Sequence, residues 1–584
     1  MIASFITRKK LSLFYCLSAK TRIASGRLTL NTSSAKIVLF ASILLVSPGA
    51  FAGAGVASAH PLATAAGVKM LKLGGNAFDA AIAVTSTIAV VDPAGSGIGG
   101  GGFWLLHDAA NDQSIMVDGR EKAPLAATRD MYLDENGDVI PGLSINGPLS
   151  AGIPGEPAAL AWLAENYGAL PLATSLQPAI HVARNGFAAT ERYHNLVDWR
   201  KDLLNQYPAA AAIFLDEGET PEIGQLIVQE DLANTLESIA DNGRAGFYQG
   251  KIATALVEGI RDVGGIWTMQ DLAEYQVVIR DPISIAYRDM KVTSAALPSS
   301  GGLVLAEMLN ILENYDLVNM DEADFIHVNV EAMRRAYRDR AQYLGDSDFI
   351  DVPVAMLQSK EYAKGMNQSI RMDRASTSTS LAPTETGGNK GEDTTHFSVI
   401  DKDGNRVSAT LSINYPFGSG VVPPGTGVLL NDEMDDFSSK PGTPNAYGLV
   451  GAEANAIEPG KRMLSSMSPT FVEDDRRIAV LGSPGGSRII TMALLGILEF
   501  ERGGNAEAIV NRPRFHHQYL PDSIQYEINT LNTGIISDLA NRGHKFKPLS
   551  RTWGNMHAVI LDKATGRVEA ASDARGEGEA QVIE

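Results

Sequence analysis

The stretch GEDTTHFSVIDKDGNRVSATLSIN, residues 391–414, decides the architecture. It reads as a strand, a turn and a second strand. Thr394, His396, Ser398, Ser408, Thr410, Ser412 and Asn414 share one face, and Phe397, Val399, Val407, Ala409, Leu411 and Ile413 share the other, at the two-residue period of a strand. Lys402-Asp403-Gly404 supplies a three-residue hairpin loop with glycine at the left-handed position. That loop sets 401 opposite 405, and therefore 398 opposite 408, 396 opposite 410 and 394 opposite 412. A slip of one residue would set polar against apolar, so this register is favoured. Thr394 and Ser412 then form a cross-strand pair with Cβ atoms about 5 Å apart. Such a pair is ordinarily sheet decoration, and what raises its interest is position. Residues 374–393, RASTSTSLAPTETGGNKGED, are nearly devoid of apolar side chains and read as a flexible linker or exposed loop. Thr394 thus stands where an exposed loop becomes a buried strand.

The surrounding chain has 584 residues, enough for two domains or one large layered one. Its 45% hydrophobic and 20% charged residues are an ordinary globular balance. Residues 1–52 hold seven Lys and Arg and no Asp or Glu. They continue into the apolar run IVLFASILLV (37–46), a Ser47-Pro48-Gly49 break and Ala50-Phe51-Ala52. That order describes a cleaved export signal, with an apolar run too short for a comfortable membrane span. Without those residues the net charge moves from −19 to −26, a poor match to nucleic acid or anionic membrane surfaces. The one cysteine, Cys16, falls in the signal, so the mature chain has no disulfide, no thiolate nucleophile and no Cys metal site. The expected location is outside the cytoplasm, in the periplasm or secreted, with no stable membrane anchor.

Residues 61–91 read as two Ala-rich helices, the first stopped at Gly74-Gly75 and the second capped by Asn76, both buried against something flat. The glycine run at 97–102 precedes a strand rather than a helix, which favours close backbone packing over a phosphate loop. The middle, about 150–380, alternates helices and short loops, and 321–346 reads as an amphipathic helix with an Arg-rich face. Strands are expected at 396–401, 406–413, 427–431, 469–473 and 477–482, with a helix near 487–502. Strands sandwiched by Ala-rich helices imply a layered architecture.

No G-x-S-x-G elbow marks a serine nucleophile, and a threonine is weak without an adjacent base. If the Asp393–Thr394 bond were cut, the freed amine of Thr394, with a pKa of about 7.7–8.0, could serve as its own general base. Ser412 lies opposite to hydrogen-bond it. The acidic run NDEMDDF (431–437) reads most simply as a solvated loop, with a Ca²⁺ loop as a weaker alternative.

The segment DTTHFSVIDKDGNRVSATLSIN resembles the small-subunit start of the gamma-glutamyltransferases, or glutathione hydrolases. The likeness extends over nearly the whole mature chain, through ASAHPLATAAGVKMLKLGGNAFDAAIAV, GIGGGGFWLLHD, VDGREKAP, NDEMDDFS, KRMLSSMSPTF, GSPGGSRII and NRPRFHHQYLPD in the family's order. The resemblance implies an α+β fold, the four-layer αββα sandwich of the N-terminal-nucleophile hydrolases, made as one precursor that cleaves itself into two paired subunits. Here these would be 53–393 and 394–584.

By resemblance Thr394 is the nucleophile of self-cleavage and catalysis. Ser412 matches the family's second hydroxyl, usually Thr, and Gly485 with Gly486 hold the oxyanion. Thr410 and Asn414 match positions on the same strand, Asn414 orienting substrate. Glu433 and Asp436 are assigned to the substrate α-ammonium, which wants carboxylates. Arg120, Ser465 and Ser466 are assigned to its α-carboxylate, for which a guanidinium offers a two-pronged donor. Residues 438–457 resemble a lid with Tyr447 as its gate. The implied reaction transfers the γ-glutamyl group of glutathione or a related amide, through an ester on Thr394, to water or to an amino-acid or peptide acceptor, without cofactor or metal. The competing readings are a glutaryl (cephalosporin) acylase, which should lack an amine-binding acidic pair, a non-catalytic amino-acid-binding protein, and an inactive paralogue.

Overall fold

The computed structural model describes residues 52–381, 394–528 and 530–584. The expected leader, up to its last residue, and 382–393 of the expected linker lie outside the described residues. Thirteen strands build two large sheets: β1 (Ala54–Ser58), β2 (Gly101–Asp108), β3 (Gln113–Gly119), β4 (Val278–Arg280), β5 (Ile283–Tyr287), β6 (Met290–Ser294), β7 (Thr395–Ile400), β8 (Arg406–Ser412), β9 (Thr470–Glu473), β10 (Arg477–Gly482), β11 (His557–Asp562), β12 (Val568–Ser572) and β13 (Glu579–Ile583). One sheet runs β13-β1-β7-β8-β2-β3-β4, the other β12-β11-β10-β9-β6-β5. Every neighbouring pair is antiparallel.

The 395–412 hairpin sits at the centre of the first sheet with the predicted register: Ser398 faces Ser408 and His396 faces Thr410. Asp401 N donates to Asn405 O, and Gly404 takes φ 90°. The apolar face packs under α1 (Pro61–Lys72) and α2 (Ala77–Val91). Asn76 caps α2, accepting from the N–H of Phe78 and Asp79 while Asp79 accepts from Asn76 N, a reciprocal cap that fixes where the buried helix begins. The hydroxyl face meets the second sheet. Ser398 Oγ donates to His557 O and Ser408 Oγ to Leu481 O, both at 3.1 Å, and Thr470 N donates to Ser408 Oγ at 3.0 Å. The small hydroxyls therefore bridge the two sheets, satisfying polar groups that a dry interface could not tolerate. Helices α3 (Gly301–Leu312) and α5 (Ile489–Glu501) cover the outer face of the second sheet, and α4 (Glu322–Tyr343) packs against α3. The fold is thus α+β, a four-layer αββα sandwich.

The glycine run serves close packing. A Cβ at Gly100 would lie 2.2 Å from Ser412 O and one at Gly102 2.4 Å from Thr410 O, so only glycine lets β2 approach β8 here. Several expectations change. Residues 427–431 form no strand; they run extended beside the glycine loop with a single bridge from Gly99 to Leu430. The region read as purely helical contributes β4 to β6, short strands whose alternation is too brief to stand out. The Arg-rich face of α4 is not solvated: Arg334, Arg335 and Arg340 are all buried. Residues 369–381 lie over it. Glu331 accepts from Ser376 N and Oγ and from Arg335, while Asp522 accepts from Ser378 N and Arg334. The described part of the supposed linker is therefore anchored by buried charge. No helix among the described residues is long and apolar enough to cross a membrane.

Candidate active site

Thr394 is buried at the mouth of β7 and lines a small cavity of about 20 Å³ together with Ser412, Asn414, Glu433, Asp436 and Tyr447. Ser465, Ser466, Gly486 and Ser487 close its far side. Eight residues expected at a site from five separate stretches of sequence thus meet Thr394 in one place. On its other flank Thr394 and Gly485 border a wider cleft of about 440 Å³, whose lining carries both signs of charge, including Arg192, Arg575, Asp92 and Glu577.

The end of β8 arranges the hydroxyls. Ser412 Oγ accepts from Asn414 N at 2.7 Å, so its own proton is left to donate elsewhere. Asn414 holds a left-handed φ of 73°, tolerable for asparagine, and its amide donates to Asp432 O. Three expected residues do not line the cavity: Gly485 borders the wider cleft, Arg120 lies behind Glu433 and Asp436, and the Thr410 hydroxyl bonds His396 Nδ1 at 2.9 Å inside the sheet sandwich.

Gly485 (φ 137°) and Gly486 (φ 55°) open a short 3₁₀ turn, Gly486–Arg488, whose first N–H groups have no partner within the turn. A Cβ on Gly486 would fall 2.5 Å from the Tyr447 ring, so the turn and the gate side chain fit only through a glycine.

Arg120 is fully buried and pairs with both Glu433 and Asp436, with Glu121 3.7 Å away. The groups expected to take opposite ends of a zwitterion neutralise one another in the empty cavity. Burial pushes the Glu433 carboxyl up to about 7, against the pull of Arg120, and pushes Asp436 and Glu121 up as well. Burial opposes the charge on Arg120, but Glu433 and Asp436 hold it firmly protonated. Glu433 Oε2 has no hydrogen-bond partner and is buried, an acceptor waiting for a donor. A primary ammonium entering here would find two carboxylates and a carboxylate would find the serine hydroxyls, with Arg120 behind Glu433 and Asp436 rather than in the lining.

The rest of NDEMDDF is structural. Asp432 accepts from Tyr415 N, and Asp435 accepts from Ser144 Oγ and Ala446 N. Among the described residues no group of three or more His, Cys, Asp or Glu could hold a metal ion, so the Ca²⁺-loop alternative is not supported there. Residues 438–457, expected as a lid, reach the cavity: Tyr447 Oη donates to Asn414 O at 2.8 Å and Asn445 donates to Asp436.

Sequence reasoning missed Arg340, whose guanidinium donates to Ser466 Oγ at 3.1 Å and to Ser300 Oγ at 2.9 Å. Its signal was present in the Arg-rich face of α4, which reads as solvated until the fold buries it. Gln518, within NRPRFHHQYLPD, carries no local signal of a role; its amide donates to the carbonyls of Tyr447 and Gly448.

With this geometry in place, the likeness to known proteins is specific. Residues 63–583 match the family model described as Gamma-glutamyltranspeptidase. The chain is 44% identical over 500 residues to the Glutathione hydrolase proenzyme of Pseudomonas sp. (strain A14), covering 84% of this chain and 86% of that one. It is 42% identical over 525 residues to the Glutathione hydrolase proenzyme of Escherichia coli (strain K12), covering 89% and 90%. Among solved structures, cephalosporin acylase from Bacillus halodurans superposes with a TM-score of 0.80 at 29% identity, over 91% of this chain and 96% of that one. Helicobacter pylori gamma-glutamyltranspeptidase gives a TM-score of 0.55 at 41% identity, over 58% of this chain and 96% of that one.

Proposed function

Since the chain belongs to the gamma-glutamyltranspeptidase family and is an enzyme of the glutathione hydrolase type, we propose that Thr394 is its nucleophile, first against its own backbone and then against substrate. The observation that carries this reading is convergence: Thr394, Ser412, Gly486, Glu433 and Asp436 line one cavity, with Arg120 paired to the two carboxylates. In maturation the Thr394 hydroxyl attacks the Asp393 carbonyl, the C–N bond breaks, and the Thr394 nitrogen leaves as a free amine. Water hydrolyses the resulting ester, giving subunits 53–393 and 394–584. In turnover that amine accepts the hydroxyl proton as Thr394 attacks the γ-glutamyl amide. The N–H groups of Gly485 and Gly486 stabilise the oxyanion, and the proton passes to the leaving amine. The γ-glutamyl ester on Thr394 then goes to water or to an amino-acid or peptide acceptor.

Substrate selection follows from charge. Glu433 and Asp436 receive the α-ammonium, while Arg120, Ser465 and Ser466 receive the α-carboxylate, with Arg340 holding Ser466 from behind. Asn414 and Tyr447 fix the cavity wall. Thr410 acts at one remove, by holding His396. The wider mixed-charge cleft suits departure of the amine and entry of acceptors. The leader is read as directing export, with the periplasm as destination.

Thr394→Ala tests the assignment. The variant should purify as a single uncut chain without γ-glutamyl anilide hydrolysis. The parent should yield a second chain whose N-terminal sequence is Thr-Thr-His. A parent that stays uncut on incubation would overturn the reading. The likeness to a cephalosporin acylase favours glutaryl transfer as a second reading. A glutaryl group lacks the ammonium that Glu433 and Asp436 suit, so glutaryl amides should react at least tenfold more slowly than γ-glutamyl amides.

A further inference from the structure

Gln518 lies outside the cavity, in the loop that follows a buried histidine, and its side-chain amide is fully occupied. Nε2 donates to two lid carbonyls, Tyr447 O at 3.3 Å and Gly448 O at 3.1 Å. Oε1 takes the hydroxyl of Ser487 at 2.7 Å and His516 Nε2 at 2.9 Å. These partners fix the orientation of the amide, because only its NH₂ can face two carbonyls. Facing the acceptor Oε1, His516 Nε2 carries a proton, while Nδ1 lies 2.9 Å from Thr491 Oγ1, a hydroxyl that also reaches Arg488 O at 3.0 Å. The backbone turns sharply just after, with Tyr519 at φ 70° and His517 Nε2 on Asp522 at 3.2 Å, so the loop cannot drift. Ser487 is the residue after Gly486, and its carbonyl accepts from Tyr337 Oη.

One amide therefore joins the lid backbone at Tyr447–Gly448 to the turn that carries the two oxyanion glycines. We propose that Gln518 is a positioning residue that latches the lid shut against the Gly485–Gly486 turn, so that lid closure and oxyanion geometry are set together. This rests on the γ-glutamyl reading only for its kinetic consequence; the latch itself is a property of the fold. Tyr447 Oη on Asn414 O is the second fastening of the same lid, at its other edge. With both fastened, the lid is held over the cavity that Thr394 and Gly486 share. With the amide lost, the lid hangs on the tyrosine alone and water has access to the ester.

Gln518→Glu keeps the acceptor for Ser487 and His516 but loses both donors to the lid, and Ser487→Ala frees the opposite end of the amide. Amide hydrogen exchange should rise at least tenfold across 442–450 in both variants, while strands 470–482 keep parent protection. For γ-glutamyl anilide KM should rise about tenfold and kcat should fall at least threefold, because lid and oxyanion turn are released together. In a double-mutant cycle with Tyr447→Ala, the loss on adding Gln518→Glu should be smaller than in the parent, because both act through one lid. Parent-like exchange in the lid of both variants would overturn the proposal, as would strictly additive effects with Tyr447→Ala. Since exchange needs no turnover, an enzyme that failed on γ-glutamyl substrates would sink the functional reading and leave the latch separately decided.

Discussion

At the scale of single residues, hydrogen-bond direction separates roles that composition cannot. Ser412 accepts from Asn414 N and so keeps one proton to give. Ser412→Ala should slow self-cleavage at least tenfold, read as persistence of the uncut chain on a denaturing gel, whereas Ser412→Thr, which restores only a methyl, should process at the parent rate. Glu433 makes the second case. Burial holds its carboxyl up near 7, so it is neutral below that pH and a carboxylate above it. An ammonium binds the carboxylate better, so KM for γ-glutamyl anilide should rise as pH falls from 8 to 6. Glu433→Gln should flatten that rise while leaving an acceptor oxygen in place. A parent KM that is level across this range would remove the assignment of Glu433.

At the scale of elements, the hairpin and α4 behave oppositely. The alternation of 395–412 and its Gly404 turn fixed register from local information alone, because one-residue slips cross polar with apolar. Helix α4 has an equally clear pattern whose polar face turned out to be buried. Its Arg334 and Arg335 pair with Glu331, which also accepts from Ser376. Burial works to raise the Glu331 carboxyl, but Arg335, Arg334 and Ser376 outweigh it and lower it to about 2. A folded-state value below the ordinary 4.5 means that this stabilisation is complete above that pH and is lost as pH falls toward 2. Glu331→Ala leaves two buried guanidinium groups short of a partner and should cost about 3–5 kcal/mol at pH 7 by urea denaturation. The cost should shrink in acid.

At the scale of the whole molecule, the two expected subunits are interleaved rather than docked. In the first sheet β1 lies between β13 and β7, and in the second β6 lies beside β9, so strands from either side of residue 394 share both sheets. Separating them means breaking ladders in both layers and exposing both cores. The processed chains should co-elute as one species through size exclusion in 1 M salt and part only in denaturant. Dissociation by salt alone would contradict the interleaving.

The sequence by itself determined the hairpin register, the capped helix pair, the family and most of the residues that meet around Thr394, because each is written in local alternation, turn chemistry or contiguous motifs. Thr394, Ser412, Glu433 and Gly486 carry their chemistry in short quoted stretches. Tertiary structure decided the rest. Only packing shows that Thr410 faces His396 rather than the cavity, that Arg120 is held by the carboxylates assigned to the other end of the substrate, and that Arg340 stands behind Ser466. Gln518 gained a role only when the lid folded onto it. The physical reason is common to all four: a polar side chain announces what it can bond, while which partner reaches it depends on chain segments tens or hundreds of residues away.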